Sequence, residues 1–298
     1  MTKELRLALG GGLICVSVLL VLLSPGCSNM PNGGVPIYIR IDSPTVVIDN
    51  ARFGSGSFRI PDVWAESGSQ NLGAYEMPVS IPVLAGGNVP ILISGGIYDN
   101  GIINTRVSYP FYKPDTFTIP NAIPGHVYHH KPVYHYFAST QVALNSTFEG
   151  NNDFDSKMTL ISNAHIAFEG ARCGAIIMHP ADSTITTIQS QPMAINTQGG
   201  AAYIELNYRN PAIYFDVYLR ATNYDNFGNV ISQTDYPKLT IGLHPEWSKT
   251  YLNFSNEAGY NPGADFQIIF VTYRLPTINT TNTTDSVLLD NIKFLYFN

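Results

Sequence analysis

Short apolar or alternating runs recur along most of the chain, and Gly, Pro, Asn or Asp separates one run from the next. No long stretch carries the apolar spacing of an amphipathic helix. Short strands divided by turns at regular intervals are typical of β-sandwiches, so the pattern predicts an all-β protein. The predicted strands include Ile37–Ile41, Val133–Phe137, Ala164–Phe168, Ala202–Tyr208, Tyr214–Arg220, Thr250–Phe254, Phe266–Tyr273 and Val287–Tyr296.

The first residues follow the order of a secretory signal, with a short positive segment, an apolar run and small residues before a cysteine. Lys3 and Arg6 precede the apolar run Leu7–Leu23, and Ser24-Pro25-Gly26-Cys27 ends it. A helix that spans a bilayer needs about 20 apolar residues. The run Leu7–Leu23 has only 17 residues, and three of them are consecutive glycines. A cleaved signal peptide over residues 1–26 is therefore favoured over an uncleaved membrane anchor.

The segment Leu23-Ser24-Pro25-Gly26-Cys27 resembles the lipobox of bacterial lipoproteins. The resemblance implies that Cys27 begins the mature protein and carries several acyl chains, enough for stable anchoring in a lipid bilayer. Residues 27–36 then form a polar tether rich in Gly, Pro and Asn. The expected location is the outer membrane. No acidic residue occurs from Ser28 to Asn32, so the cell surface and the periplasmic face both stay open.

Net charge and cysteine content indicate which partners and which cysteine chemistry to expect. Loss of Lys3, Glu4 and Arg6 with the signal changes the formal net charge from −6 to −7. Because the mature chain is acidic and has no basic run, a nucleic-acid partner is not expected. Cys173 is the single cysteine left after Cys27 is acylated, and we expect a small, buried apolar residue there.

The mature chain divides into two predicted sandwiches, over residues 37–137 and 145–298. The first resembles an immunoglobulin- or fibronectin-like module of surface lipoproteins in the Bacteroidota. The segments that carry this resemblance are Phe58–Trp64, Leu72–Pro78, Ile97–Ile102 and Thr105–Tyr112. Within it, Asp99-Asn100-Gly101 predicts a tight hairpin turn, because Asn-Gly tolerates the positive φ that such a turn requires.

Four histidines lie close together before the boundary, interleaved with tyrosines. They are His126, His129, His130 and His135. Imidazoles at short spacing bind zinc or copper, but side chains of an extended chain alternate between two faces. The alternative to a metal site is a strand rich in Tyr and His that packs between the domains.

The second sandwich resembles the jelly rolls of carbohydrate-binding modules and their relatives in the Bacteroidota. Phe148-Glu149-Gly150 looks like its first strand, and the resemblance rests further on Ala202–Tyr208, Glu246–Phe254 and Leu288–Tyr296. It implies a structural Ca²⁺ held by Glu149 and Asp290, because hard oxygen ligands suit that ion. The alternative is that these carboxylates accept hydrogen bonds from backbone amides at strand ends.

A loop in the second sandwich carries the mixture of aromatic, amide and carboxylate groups that sugar binding requires. Its candidate ligand-binding residues are Tyr224, Asp225, Asn226, Phe227 and Asn229. The same loop also fits a long hairpin whose aromatic side chains pack on the sandwich. Trp247 belongs to a strand pattern, so we expect it to be structural.

No Gly-x-Ser-x-Gly, phosphate-binding loop or paired-histidine zinc helix occurs in the sequence. Asp182-Ser183-Thr184 and Asp285-Ser286-Val287 resemble O-glycosylation sites of the Bacteroidota, with Ser183 and Ser286 as acceptors. A non-catalytic lipoprotein that binds a ligand, above all a glycan, is favoured. A structural subunit of an outer-membrane complex is the second hypothesis, and a glycan-acting enzyme is the third.

Overall fold

The computed structural model describes residues 34–274 and 283–298. In this part of the chain the helices are short, α1 (Asn50–Phe53) and α2 (Ser255–Gly259), and nearly all other regular structure is β. The predicted all-β class with two β-sandwiches is therefore confirmed. The predicted signal peptide, Cys27 and most of the tether lie outside the described residues. Among the described helices, none is long and apolar enough to cross a membrane.

The first sandwich contains eleven strands. They are β1 (Ile37–Ile41), β2 (Thr45–Val46), β3 (Asp62–Ser67), β4 (Gln70–Glu76), β5 (Val79–Val83), β6 (Gly87–Tyr98), β7 (Arg106–Ser108), β8 (Tyr112–Lys113), β9 (Asp115–Ala122), β10 (Val127–His130) and β11 (Val133–Tyr136).

Two small sheets of the first sandwich face one larger sheet. The small sheets have the orders β10-β1-β5 and β2-β11-β8, and the larger one has the order β4-β3-β6-β7, with β9 also paired to β6. The alternation in β1 explains the packing: Ile37, Ile39 and Ile41 are fully buried, whereas Tyr38 and Arg40 between them are partly exposed. This period of two is the signature of a strand with one face in the core.

The second sandwich contains the remaining strands. They are β12 (Gln141–Ser146), β13 (Met158–Ser162), β14 (Arg172–Met178), β15 (Thr184–Ile188), β16 (Met193–Ala194), β17 (Ala202–Asn210), β18 (Tyr214–Tyr224), β19 (Val230–Ile241), β20 (His244–Asn253), β21 (Asp265–Tyr273) and β22 (Asp285–Tyr296).

Two sheets of the second sandwich enclose its main core. The inner sheet has the order β13-β14-β22-β17-β20, and β12 also pairs with β22. The outer sheet has the order β15-β21-β18-β19, and β16 pairs with β21. Buried side chains from both sheets, such as Leu206 of β17 and Val217 of β18, meet between them. Burial of this apolar area is the main favourable contribution to folding.

Local structure differs from the sequence predictions at two places in the second sandwich. The first strand is β12 (Gln141–Ser146), which pairs with β22, instead of the predicted Phe148-Glu149-Gly150. Phe148 is not in a strand, because its φ of 57° is left-handed and its ring is buried in the core. Ala164–Phe168 also forms a turn instead of a strand, with a hydrogen bond from Ile166 N to Asn163 O.

The two sandwiches pack on each other through a cluster rich in tyrosine. The members from the first sandwich are Phe53, Ile60, Ile97, Tyr109, Phe111, Tyr112, Tyr134 and Tyr136, and those from the second are Tyr203, Tyr251 and Leu295. The prediction that the Tyr- and His-rich segment packs between the domains is thus confirmed for Tyr136, whose hydroxyl donates to Glu205 of the second sandwich.

The predicted Asp99-Asn100-Gly101 turn is confirmed and joins the same interface. Asn100 and Gly101 have φ values of 55° and 70°. Asp99 accepts a hydrogen bond from Tyr203 OH at 3.0 Å, and Asn100 accepts one from Asn253 N at 2.8 Å. The hairpin therefore also docks the first sandwich onto β17 and β20.

A buried charge cluster lies beside these tyrosines. Glu205 Oε1 accepts hydrogen bonds from Tyr109 OH at 2.7 Å and Tyr136 OH at 2.8 Å. Its Oε2 lies 2.8 Å from Lys249 Nζ and 3.8 Å from Lys293 Nζ. Burial raises the pKa of Glu205, but the charges of the two lysines outweigh this effect and lower the pKa to about 2. These groups lie on the face of β17, β20 and β22 that the first sandwich covers, so this part of the inner sheet is not open to solvent.

Candidate functional site

The solvent-facing side of the outer sheet carries a row of polar and aromatic side chains. Along β18, alternate residues such as Phe215 and Leu219 enter the core, so the residues between them face solvent. The outward row is Tyr214, Asp216, Tyr218, Arg220 and Tyr224, and Thr222 lies on the same face but is only 4% exposed. At about 3.4 Å per residue, it spans about 34 Å from end to end. We call this set the β18 row.

Tyrosines at one end of the β18 row surround a carboxylate. The Tyr214 and Tyr273 rings stack with centroids 6.2 Å apart. Asp216 Oδ1 accepts hydrogen bonds from Thr240 Oγ1 at 2.6 Å and Tyr273 OH at 3.2 Å, while Oδ2 accepts one from Tyr218 OH at 3.4 Å. Partial burial, and then the nearby Asp216 charge, raise the pKa of Tyr218. Its hydroxyl therefore stays a hydrogen-bond donor at neutral pH.

The middle of the β18 row has a fixed ion pair. Arg220 binds Asp235 of β19 through two hydrogen bonds, at 2.6 and 2.8 Å. Hydrogen bonding to Asp235 raises the pKa of the Arg220 guanidinium. Gln233 Nε2 donates to Thr222 Oγ1 at 3.2 Å beside it. Because the arginine is already paired and Asp216 adds a further carboxylate, this surface offers no free cation to an anionic ligand.

The predicted ligand loop is the tip of the β18–β19 hairpin. Asp225 closes the turn, because its carboxylate accepts hydrogen bonds from the backbone amides of Phe227 and Asn229 and from the Asn229 side chain. Those hydrogen bonds, with Asn229 first, lower the pKa of Asp225. Phe227 is 90% exposed, so its ring does not pack on the sandwich. Tyr224 extends the β18 row, whereas Asn226 lies exposed in the turn.

A polar groove lies at the edge of the same sheet. Gln189, which lines the groove, accepts a hydrogen bond at its backbone oxygen from Gln267 Nε2 of β21 at 2.7 Å. The groove therefore lies beside β21, the strand next to β18 in the outer sheet. The groove has a volume of about 560 Å³, and its polar lining residues include Asn151, Asn152, Asp153, Gln189, Ser190 and Gln191. Amide and hydroxyl groups of this kind pair with the hydroxyls of a sugar.

The carboxylates of both predicted calcium ligands accept hydrogen bonds from backbone amides. Glu149 Oε1 accepts hydrogen bonds from Ala171 N at 2.8 Å and Arg172 N at 2.9 Å. Burial raises the pKa of Asp290 to about 7, and its carboxylate accepts amide hydrogen bonds from Phe168, Glu169 and Asn291. Among the described residues, no group of three or more His, Cys, Asp or Glu is arranged to hold a metal ion. Calcium at Glu149 and Asp290, and metal binding by the histidines, stay predictions.

The remaining candidate residues are two structural positions and two serines that were predicted to be glycosylated. Cys173 is fully buried, as predicted, and burial raises the pKa of its thiol to about 11. Trp247 is structural, as predicted, because its Nε1 donates to Ile166 O at 3.1 Å. Ser183 is exposed before β15, whereas Ser286 is half-buried in β22. Their O-glycosylation stays a prediction.

Sequence reasoning missed most of the β18 row, although its signal is visible in the segment Tyr214–Arg220. Apolar Phe, Val and Leu alternate there with Tyr, Asp, Tyr and Arg. The alternation identifies two faces of one strand. It does not say which sheet of the sandwich is left uncovered, and that depends on where the first sandwich docks.

Comparison with known proteins gives no family for this chain. No protein family matches it, and no curated protein is significantly similar in sequence. Among solved structures, it is similar to the xylan-binding domain CBM22-1 of Paenibacillus barcinonensis Xyn10C, at 11% identity and a TM-score of 0.35, over 54% of this chain and 97% of that one.

Two further structures show likeness of the same order. One is a carbohydrate-binding module of the β-sandwich superfamily, at 13% identity and a TM-score of 0.38, over 89% of this chain and 99% of that one. The other is the enzymatically active domain of bacteriophage CBA120 tailspike protein 4, at 11% identity and a TM-score of 0.32, over 53% of this chain and 19% of that one. At these TM-scores the likeness by itself assigns neither a family nor a ligand.

Proposed function

We propose that this protein is a non-catalytic, membrane-anchored lipoprotein that binds a glycan chain along the β18 row. The observation that carries the proposal is the spacing of tyrosine rings with polar groups between them on an uncovered sheet face. Sugar C–H faces stack on aromatic rings, while sugar hydroxyls need hydrogen-bond partners in the bound state. Tyr214, Tyr218 and Tyr224 supply rings, and Asp216 and the exposed Gln233 and Thr240 of β19 supply the partners.

The charge of the surface favours an uncharged glycan. Asp216 and Asp235 lie on the face, and Arg220 is already held by Asp235. A uronate or sulfated sugar would bring a further negative charge beside these carboxylates without a free cation to pair it, which is unfavourable. Neutral polysaccharides are therefore the expected class, and acidic ones are not.

Affinity electrophoresis against soluble polysaccharides tests this function. We expect at least one neutral polysaccharide to retard the protein, and acidic polysaccharides to have no effect. The absence of retardation by every polysaccharide, in protein whose fold is confirmed by circular dichroism, would overturn the proposal. Retardation by acidic polysaccharides alone would overturn the assigned class.

The membrane anchor is a separate part of the proposal. It rests on the sequence around Cys27, where acyl chains would hold the mature protein on the outer membrane. Cys27→Ser removes the acylation site, so we expect the variant to move from the membrane fraction to the soluble fraction. Retention of the variant in the membrane fraction would contradict lipid anchoring through Cys27.

A structural subunit of an outer-membrane complex is the second candidate function, and the hairpin tip favours it. Phe227, Val230 and Ile231 are 90%, 58% and 68% exposed. Clustered exposed apolar side chains are typical of protein contact sites. Affinity purification from native membranes compares the wild type with Phe227→Asp. A stoichiometric partner that only the wild type retains would favour this role.

A further inference from the structure

A second exposed apolar cluster lies at the start of the first sandwich. Val35, Leu84, Ile123 and Val127 are 52%, 53%, 51% and 53% exposed. Single exposed apolar residues are ordinary, but several together mark a contact surface. We call these four residues the entry patch, because the described chain begins beside them.

The sheet β10-β1-β5 brings the entry patch together. In β1, Ile37 pairs with Val83 of β5, and Tyr38 pairs with Val127 of β10. Tyr38 N also donates to His126 O at 2.8 Å, which ties the turn before β10 to the beginning of β1. The first residues of β1, the end of β5 and the start of β10 therefore meet at one end of the sheet.

The charge around the entry patch differs from that of the whole chain. The three segments that build it, residues 34–41, 79–90 and 119–131, contain no Asp or Glu, although the chain has a formal net charge of −6. The same segments carry the basic or imidazole side chains Arg40, His126, His129, His130 and Lys131. Two of them are already paired with carboxylates, Arg40 with Asp42 and His130 with Asp115, toward the other end of the sheet. The segments that carry the four apolar side chains add no negative charge of their own, so they approach lipid phosphates without like-charge repulsion.

The length of the tether keeps this patch close to the proposed anchor. Val35 follows Cys27 by eight residues. A fully extended chain spans at most about 3.6 Å per residue, so the two residues lie within about 29 Å of each other. Acyl chains on Cys27 would therefore hold the entry patch within a short distance of the bilayer.

We infer that the entry patch rests on the bilayer that holds Cys27, with its apolar side chains among the lipid headgroups and no Asp or Glu of its three segments beside the phosphates. The inference rests on the proposed lipid anchor and adds a defined docking face to it. The first sandwich then has a fixed side toward the membrane, and the tether does not act as a free linker.

Site-specific labelling tests this docking in the acylated, full-length mature protein. Val127→Cys and Val230→Cys are matched variants, because the two valines are 53% and 58% exposed but lie in different sandwiches. Each new cysteine takes an environment-sensitive fluorophore, while buried Cys173 stays unlabelled. The proteins are bound to vesicles of phosphatidylethanolamine and phosphatidylglycerol that contain doxyl-labelled lipid.

We expect the lipid quencher to remove most of the fluorescence at position 127 and to leave that at position 230 unchanged. Co-flotation with the vesicles without quenching at position 127, or with equal quenching at both positions, would overturn the docking face and leave the anchor intact. A chain that does not co-float at all would refute the anchor and the docking face together, while glycan binding is measured independently.

Discussion

Replacing Glu205 by glutamine removes the single carboxylate that neutralises two buried lysines at the interface between the sandwiches. Glu205 and Lys293 are fully buried, and Lys249 is 4% exposed. Glutamine has nearly the same shape and still accepts the hydrogen bonds from Tyr109 and Tyr136. The substitution therefore tests charge compensation while it leaves the packing of the interface almost unchanged.

The structure gives the magnitude of the expected loss. The pKa of Glu205 falls from 4.5 to about 2 on folding. At about 1.36 kcal/mol per pKa unit, this shift corresponds to about 3 kcal/mol of stability at neutral pH. Breaking a buried ion pair by removing one partner costs about 3–5 kcal/mol in other proteins. We expect Glu205→Gln to lower the free energy of unfolding by about 3 kcal/mol at pH 7.

The loss must depend on pH. Because the folded-state pKa of Glu205 is depressed, its contribution is fully present above about pH 4.5 and is lost as the pH falls toward 2. Protonated glutamate then resembles glutamine. The difference in unfolding free energy between the wild type and Glu205→Gln should therefore shrink steadily below pH 4.5.

Urea unfolding at pH 7 and at pH 3 measures both quantities. Glu246→Gln is the matched control, because Glu246 lies in β20 near Lys249 but is exposed. The control should change stability by less than about 0.5 kcal/mol. A loss below about 1 kcal/mol for Glu205→Gln at pH 7, or an equal loss at both pH values, would refute this reasoning.

Other substitutions test the packing and the hairpin. Gly96→Ala should destabilise the first sandwich by about 1–3 kcal/mol in urea unfolding, because an added Cβ would overlap the buried carboxylate of Asp62; an unchanged midpoint would contradict this. Leu206→Ala should cost about 2–5 kcal/mol, whereas Phe227→Ser should change the unfolding free energy by less than about 0.5 kcal/mol, since the first side chain is fully buried and the second is exposed. Asp225→Ala removes the acceptor that closes the hairpin tip, so amide exchange there should accelerate while exchange in the sandwich core stays unchanged.

Much of the fold follows from local sequence. The alternation in Ile37–Ile41 predicts a strand with one buried face, and Asn100-Gly101 predicts a turn with positive φ. Both features are set by neighbouring residues along the chain, so they can be recognised without knowing the tertiary structure. The burial of Cys173 was also expected, because an unpaired cysteine in such a chain behaves as a small apolar residue.

The domain interface could not be predicted in the same way. Glu205 and Lys293 each lie between two apolar residues, and Lys249 lies between Ser248 and Thr250; these are patterns of a solvent-exposed face. The first sandwich covers that face and turns these charges into a buried cluster. The same docking decides the candidate site, because it covers the inner sheet and leaves the β18 row open. The prediction of a strand at Phe148 was wrong for another reason. The backbone of Phe148 is left-handed, which is incompatible with a strand.

The most direct test of the central claim is a calorimetric titration of a retarding neutral polysaccharide into the wild type, Tyr218→Ala and Tyr260→Ala. Tyr218 lies in the middle of the β18 row, whereas Tyr260 follows α2 and is 78% exposed. Truncation of a central aromatic contact usually costs more than 1 kcal/mol, so Tyr218→Ala should weaken binding by about tenfold. Tyr260→Ala should bind like the wild type. Equal affinities for all three proteins would contradict glycan binding along the β18 row.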